Sequence, residues 1–307
     1  MIGLVIKNAG NEYLVKTDDG KLVECKIKGN FRIKDIKTTN PVAIGDQVRF
    51  EQQPDGSAMI YEISERQNYI IRRSSNLSKQ AHILAANLDT AALIVTINYP
   101  ETYTTFIDRY LATAEAYRIP ACLIFNKTDC YNESELEYLE AMEYLYSSMG
   151  YPTFKVSGLQ PDTLQDLMKF LDGKITLFSG NSGVGKSTLI NALIPGTKAK
   201  TGEISSYHKK GTHTTTFSEM YEIPTGGYII DTPGVKGFGV LDMEKEEIGH
   251  YFRDIFPISR KCKFKNCTHT HEPGCAVIEA VDNHQIANSR YQSYLNIMED
   301  CEGEKYR

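Results

Sequence analysis

Residues 175–188 read Ile175-Thr176-Leu177-Phe178-Ser179-Gly180-Asn181-Ser182-Gly183-Val184-Gly185-Lys186-Ser187-Thr188. A short apolar strand runs into a glycine-rich loop, and Lys186, Ser187 and Thr188 then open a helical pattern through Leu189 and Ile190. The loop fits G-x-x-x-x-G-K-[ST] in the strand-to-helix context that this motif requires. Its glycines let the backbone wrap a phosphate chain with N–H groups, and the helix N-terminus adds positive potential. Gly180, Asn181, Ser182, Gly183, Val184, Gly185, Lys186, Ser187 and Thr188 are therefore the expected phosphate site, with Lys186 reaching the β and γ phosphates and Ser187 ligating Mg²⁺.

Downstream, Asp231-Thr232-Pro233-Gly234 ends a second apolar strand at 228–230. An acid at a strand end holds Mg²⁺ through water, and the Gly234 N–H can face the γ phosphate. Between the two lies Lys209-Lys210-Gly211-Thr212-His213-Thr214-Thr215-Thr216, just before a strand at 219–223. One of its threonines is in position to complete the Mg²⁺ shell, and Thr215 is the favoured one.

Upstream, Asn126-Lys127-Thr128-Asp129 follows the apolar run 121–125 and matches N-K-x-D. The Asp129 carboxylate can accept both the ring N1–H and the exocyclic N2–H of guanine. Adenine lacks that pair and would leave the acid unpaired, which selects GTP over ATP. Asn126 braces the loop, and the Lys127 stem lies over the base. Ser157 and Gly158 offer a backbone N–H to guanine O6, with Gly standing where Ala is usual.

The usual GTPase order puts the phosphate loop first, whereas here N-K-x-D precedes it and D-x-x-G follows it. Moving the termini while keeping strand order in space gives a circular permutation of the same sheet. Apolar strands at 91–97, 121–125, 153–156 and 175–179 alternate with helical spacing at 106–117, 133–148 and 164–171, the rhythm of a parallel sheet covered on both faces. Before them, 4–7, 12–16, 22–28, 47–51 and 59–63 alternate as short strands with Asp19-Gly20 as a hairpin turn. Five such strands predict an OB-type β-barrel, although strands alone do not separate it from an SH3-like one.

Beyond Gly234 the chain turns polar, then cysteine-rich, then helical from Ile278 onward. Cys262, Cys267, His269 and Cys275 suit a closed tetrahedral Zn²⁺ site of structural type, with His271 competing for the fourth place. The expected architecture is multidomain: an OB-type barrel over 1–68, a circularly permuted α/β P-loop GTPase domain over 69–238, and a mainly helical zinc-binding module over 239–307.

The balance of 41% apolar and 24% charged residues is that of an ordinary globular chain. A formal net charge of −5 argues against nucleic-acid coating by overall attraction. Local patches remain: Arg260, Lys261, Lys263 and Lys265 in the module, with Lys26, Lys28, Arg32 and Lys34 in the barrel, form an expected phosphate-contacting footprint on RNA. No apolar run is long enough to span a bilayer, no signal segment is visible, and the clustered cysteines suit a reducing cytoplasm.

Phe106-Ile107-Asp108-Arg109-Tyr110-Leu111, Gly211-Thr212-His213-Thr214-Thr215 and Cys267-Thr268-His269-Thr270-His271-Glu272-Pro273-Gly274-Cys275, with the motifs above, resemble the ribosome small subunit-dependent GTPases, the RsgA family, over essentially the whole chain. The resemblance implies a cytoplasmic bacterial factor, expected here as a monomer, that acts late in maturation of the 30S subunit, binds 16S rRNA near the decoding region and hydrolyses GTP to GDP and phosphate faster when docked. Val235 stands where many GTPases carry a water-orienting Gln. The resemblance points to His213 for that task, and Lys186 and Thr215, read from the motifs above, complete the expected catalytic set. In the working picture the ordered second switch sets the zinc module against the barrel, and the pair clamps rRNA.

Overall fold

Short alternating strands cannot bury an apolar face unless the sheet curls on itself, and the N-terminal segment does this. The computed structural model describes residues 1–27, 41–54, 57–73, 81–197, 219–231 and 244–304. Strands β1 (Ile2–Ala9), β2 (Glu12–Thr17), β3 (Leu22–Ile27), β4 (Gln47–Gln52) and β5 (Ala58–Ile63) pair in the closed order 1-2-3-5-4-1, with β3 and β5 parallel and the other neighbours antiparallel. That closure is the OB-type barrel. Val5, Tyr13, Val15, Val48, Phe50 and Ile60 fill it and are excluded from solvent. Asp46, at the barrel's rim, is fully buried and accepts from Arg66 Nε at 2.7 Å, Arg66 Nη2 at 2.6 Å and the Ala43 N–H at 2.8 Å.

The chain leaves the barrel through a hairpin that the sequence patterning missed, β6 (Tyr69–Arg73) and β7 (Ala81–Ala86). The α/β domain follows: β8 (Thr90–Val95), α1 (Thr104–Ala116), β9 (Ala121–Phe125), α2 (Glu133–Ser148), β10 (Thr153–Lys155), α3 (Gln165–Leu171), β11 (Ile175–Gly180), α4 (Lys186–Leu193), β12 (Glu219–Glu222) and β13 (Tyr228–Asp231). Strands β10, β9, β8, β11 and β13 lie side by side and parallel in that order, with β12 antiparallel at the edge. Alternate residues of β8 and β9 enter different cores. Leu93, Val95, Leu123 and Phe125 pack beneath α1 and α2, while Ile94 and Ile124 pack with α3 and α4. Both faces are covered, so these strands read as unbroken apolar runs.

The sheet does not stop at β12. Lys7 of β1 pairs with Glu219, so barrel and α/β sheet form one eleven-stranded sheet, and Lys16 reaches across to Glu222 at 2.6 Å. An edge strand presents unpaired N–H and C=O groups, and here the barrel covers them.

Past residue 243 the chain forms a 3-10 segment at Lys245–Tyr251, then α5 (Ile255–Ser259), α6 (Ala276–Asp282) and α7 (Asn288–Glu304). This module packs on α1 of the α/β domain, where Ala112 joins Ile248, Phe252, Ile255, Tyr294 and Ile297 in one core. Arg290 on α7 is 1% exposed and bridges the two parts: it donates to Asp108 Oδ1 on α1 at 2.6 Å and to both Asp254 oxygens at 2.9 and 3.0 Å. Tyr146 of α2 donates to the same Asp108 oxygen at 2.8 Å. Arg253 fixes a second point, bonding Glu115 at 2.6 Å and the Gly150 carbonyl at 2.9 Å. Asp108, read in the sequence only as part of a family landmark, is thus the buried acceptor for Arg290. Among the described residues no helix is long and apolar enough to cross a membrane.

Candidate nucleotide site and metal centre

The loops at the carboxyl ends of β8, β9, β10, β11 and β13 share one edge of the parallel sheet, where open α/β sheets bind ligands. This common edge brings together Asn126 and Asp129 after β9, Ser157 and Gly158 after β10, the 180–187 loop after β11 and Asp231 at the end of β13. Three motifs spread over residues 126–231 therefore meet at one edge of the sheet.

Asn126 ties the crevice together. Its side chain is buried, donates from Nδ2 to the Val184 carbonyl at 2.8 Å and accepts at Oδ1 from the Gly158 N–H at 3.2 Å. One amide thus spans the glycine loop, the N-K-x-D loop and the 157–158 loop. Gly185 makes room for it: φ is 88°, and a Cβ there would lie 2.5 Å from Asn126 Nδ2. At Gly158 a Cβ would lie 3.2 Å from Thr188 Cγ2 and 3.3 Å from Leu189 N, so glycine replaces the usual alanine because this loop rests directly on the first turn of α4.

Lys127 takes a left-handed conformation at φ 65°; its stem passes Gly185 and its ammonium donates to the Tyr99 carbonyl. The Asp129 carboxylate is exposed, and the Ser157 hydroxyl beside it holds its pKa below the usual carboxylate range, keeping it the acceptor that a guanine edge needs. Thr128 opens the short turn carrying Asp129, and its N–H bonds the Val156 carbonyl at 3.2 Å.

Tyr131 anchors this turn from below, a role the sequence did not signal. It donates to the Asn126 carbonyl at 2.6 Å and accepts from the Ile97 N–H at 2.9 Å, and burial pushes its phenol up to about 12. Lys186 and Asp231 form an ion pair, with side chains 17% and 14% exposed, so the loop cation and the β13 acid meet in the same recess. Ser187 follows Lys186 in the first turn of α4. His213, Thr215 and Gly234 lie outside the described residues, as do Lys28, Arg32 and Lys34 of the expected basic footprint.

The candidate metal centre is separate. Ligand atoms of Cys262, Cys267, His269 and Cys275 all lie within 4.8 Å of one another. Sulfur to sulfur, Cys262 and Cys275 are 3.9 Å apart; His269 Nδ1 is 3.6 Å from Cys262 Sγ and 3.4 Å from Cys275 Sγ. A tetrahedral ion with metal–sulfur bonds of about 2.3 Å and metal–nitrogen bonds of about 2.05 Å sets these edges near about 3.8 and 3.6 Å. The donor set fits such an ion.

Burial lowers the His269 pKa, favouring the neutral imidazole that a metal requires. Burial, and then the Cys275 thiol, push the Cys267 thiol up to about 12, and a bound cation would favour its thiolate. His271 is no rival: it is exposed and its Nδ1 pairs with Thr270 Oγ1 at 2.8 Å. Glu272 clamps the ligand loop through Thr268 N and Oγ1, both at 2.6 Å, Thr270 N at 3.0 Å and His271 N at 3.2 Å. Tyr291 and Tyr294 hold the His269 and Thr268 carbonyls at 2.7 and 2.6 Å.

A closed barrel joined to a parallel sheet with a phosphate loop, a guanine-type acid earlier in the chain than that loop, and a Cys3His module behind them define the circularly permuted P-loop GTPases. Within that class the chain belongs to the RsgA family: the RsgA GTPase model matches residues 63–241 and the RsgA N-terminal domain model residues 2–60. The small ribosomal subunit biogenesis GTPase RsgA 2 of Bacteroides thetaiotaomicron is 66% identical over 307 residues, covering 100% of this chain and 99% of the relative. Its counterpart in Phocaeicola vulgatus is 65% identical with the same coverage. Among solved structures, YjeQ from Thermotoga maritima superposes with a TM-score of 0.80 at 33% identity, covering 98% of both chains. YloQ, a circularly permuted GTPase, gives 0.78 at 28% identity, covering 100% of this chain and 96% of the other.

Proposed function

We propose that this chain is a Mg²⁺-dependent GTP hydrolase that works as a switch in maturation of the small ribosomal subunit, the process named for its relatives. The observation that carries the reading is the Asn126 amide, which welds the phosphate loop to both base-recognition loops, with the ionised Asp129 beside them. In this reading the amides of 180–187 hold the phosphates, and Asp129, Lys127 and the Gly158 N–H hold guanine. Ser187, Asp231 and Thr215 hold Mg²⁺, which supplies charge neutralisation at the γ phosphate. Lys186 exchanges Asp231 for phosphate oxygens as nucleotide enters, freeing that carboxylate for the metal side of the site. His213 positions water.

The Cys3His centre would hold structural Zn²⁺, since Cys262, Cys267, His269 and Cys275 offer four protein ligands and a fully protein-ligated zinc leaves no position for a substrate. The RNA partner is 16S rRNA, met by the barrel and the basic loop of the zinc module, and the protein acts in the cytoplasm as a monomer. The three functional units are taken as 1–68, 69–238 and 239–307.

The deciding experiment measures GTP turnover with purified small subunits, with large subunits and with neither, at two salt concentrations. Turnover alone should be slow, on the order of 10⁻⁴ to 10⁻² per second, with selective, salt-sensitive stimulation by the small particle. A fast free enzyme, or equal stimulation by both particles, refutes the reading.

A further inference from the structure

We infer that Phe264, at the tip of the loop between zinc ligands Cys262 and Cys267, is a stacking platform for an unpaired RNA base. Its ring is 40% exposed, unusual for phenylalanine, in a loop whose ends are both tied to the metal centre. The Phe264 carbonyl accepts the Cys267 N–H at 3.3 Å, so the ring's backbone is held in place before any partner arrives.

The surroundings specify the partner. Residues 260–270 contain Arg260, Lys261, Lys263 and Lys265 and no acid, and all four cations are exposed. Lys263 Nζ stands 5.6 Å from the Phe264 ring centre, while Arg260 lies over Phe256 at 4.7 Å. The next acid in the chain, Glu272, is spent on the Thr268, Thr270 and His271 bonds. An exposed aromatic ring on a held backbone, with one cation against it and three more exposed in the same stretch, is the arrangement that binds single strands, with stacking for the base and charge for the phosphates. The inference rests on the RNA-binding reading above and adds the form of RNA and the residue that meets its base.

The test uses the full-length, zinc-loaded protein with a short labelled oligouridine, a duplex RNA of equal length and intact small subunits. Phe264→Ala and Phe264→Leu should each weaken oligouridine binding about 5- to 100-fold, and Phe264→Tyr should retain it. Duplex binding and the slope of log affinity against log salt should not change. Lys263→Ala should lower that slope by about 0.7, one phosphate contact on a single strand. The inference is overturned if Phe264→Leu binds oligouridine like the parent, if duplex binding falls equally, or if Phe264→Tyr fails with its zinc intact. A loss confined to intact subunits, with oligouridine binding unchanged, overturns it too. Should the unaltered protein ignore small subunits altogether, the proposed function falls; should only the Phe264 variants behave like the parent, this inference falls alone.

Discussion

At the scale of single residues, the proposed base-recognition site depends on Asp129 being ionised, and the Ser157 hydroxyl against the carboxylate favours that form. Asp129→Asn replaces one acceptor oxygen with a donor and removes the charge. Charge-assisted bonds contribute about 1.5–3 kcal/mol each, so preference for GTP over ATP should fall by about 10²-fold or more. Competition binding reads this directly. Gly185→Ala combines an unfavourable φ with a methyl placed against Asn126 Nδ2. It should cost about 1–2 kcal/mol of stability and, because Asn126 must let go of Val184, about tenfold or more in GTP affinity; urea unfolding and calorimetry measure the two separately. His213→Ala should keep GTP binding and lose about 10²- to 10⁴-fold of the subunit-stimulated turnover. Unchanged stimulation would remove His213 from the mechanism.

Among elements, α1 joins the sheet to the C-terminal module. One side of it packs on the sheet through Ile107 and Leu111, while Asp108 and Ala112 face the C-terminal module. Breaking a buried ion pair leaves an uncompensated charge, so Arg290→Met should destabilise the protein by about 3–5 kcal/mol. Replacing Asp108 by Leu in the same chain removes the more deeply buried of the two carboxylates left without Arg290 and should recover part of the loss. A double-mutant cycle in urea checks this; purely additive losses would mean that Arg290 acts through packing alone. The β12 edge has a comparable role on the other flank, because its pairing with β1 carries the barrel on a strand that follows directly from the 209–216 segment.

For the whole molecule, the cores are separate: β8 and β9 side chains divide between two cores in the α/β domain, and Cys275, Ile255 and Tyr294 belong to a third. Metal removal should therefore be a local event. Chelation should expose Cys262, Cys267 and Cys275 to a thiol reagent and abolish stimulation by small subunits, while leaving GTP affinity as it was. Structural zinc contributes about 10–16 kcal/mol to modules of this kind, enough to decide whether the loop folds. Loss of GTP affinity on chelation would show instead that the module and the nucleotide crevice are a single cooperative unit.

The five barrel strands, the parallel sheet, the permuted order and the meeting of Cys262, Cys267, His269 and Cys275 were legible in the sequence. Each rests on local chemistry: a glycine loop between strand and helix, a two-residue alternation, thiols and imidazole at ligand spacing. What only the tertiary structure decided depends on partners far apart in the chain. Arg290 reads as an ordinary helix charge until Asp108 and Asp254 close around it. Tyr131 reads as a core aromatic until its hydroxyl joins Asn126 to Ile97. The single sheet through barrel and GTPase domain follows from pairing Lys7 with Glu219, and backbone hydrogen bonds carry no signature in side-chain order. Periodicity and motif spacing are written along the chain, whereas the satisfaction of buried charge and of strand edges is settled only where distant segments meet.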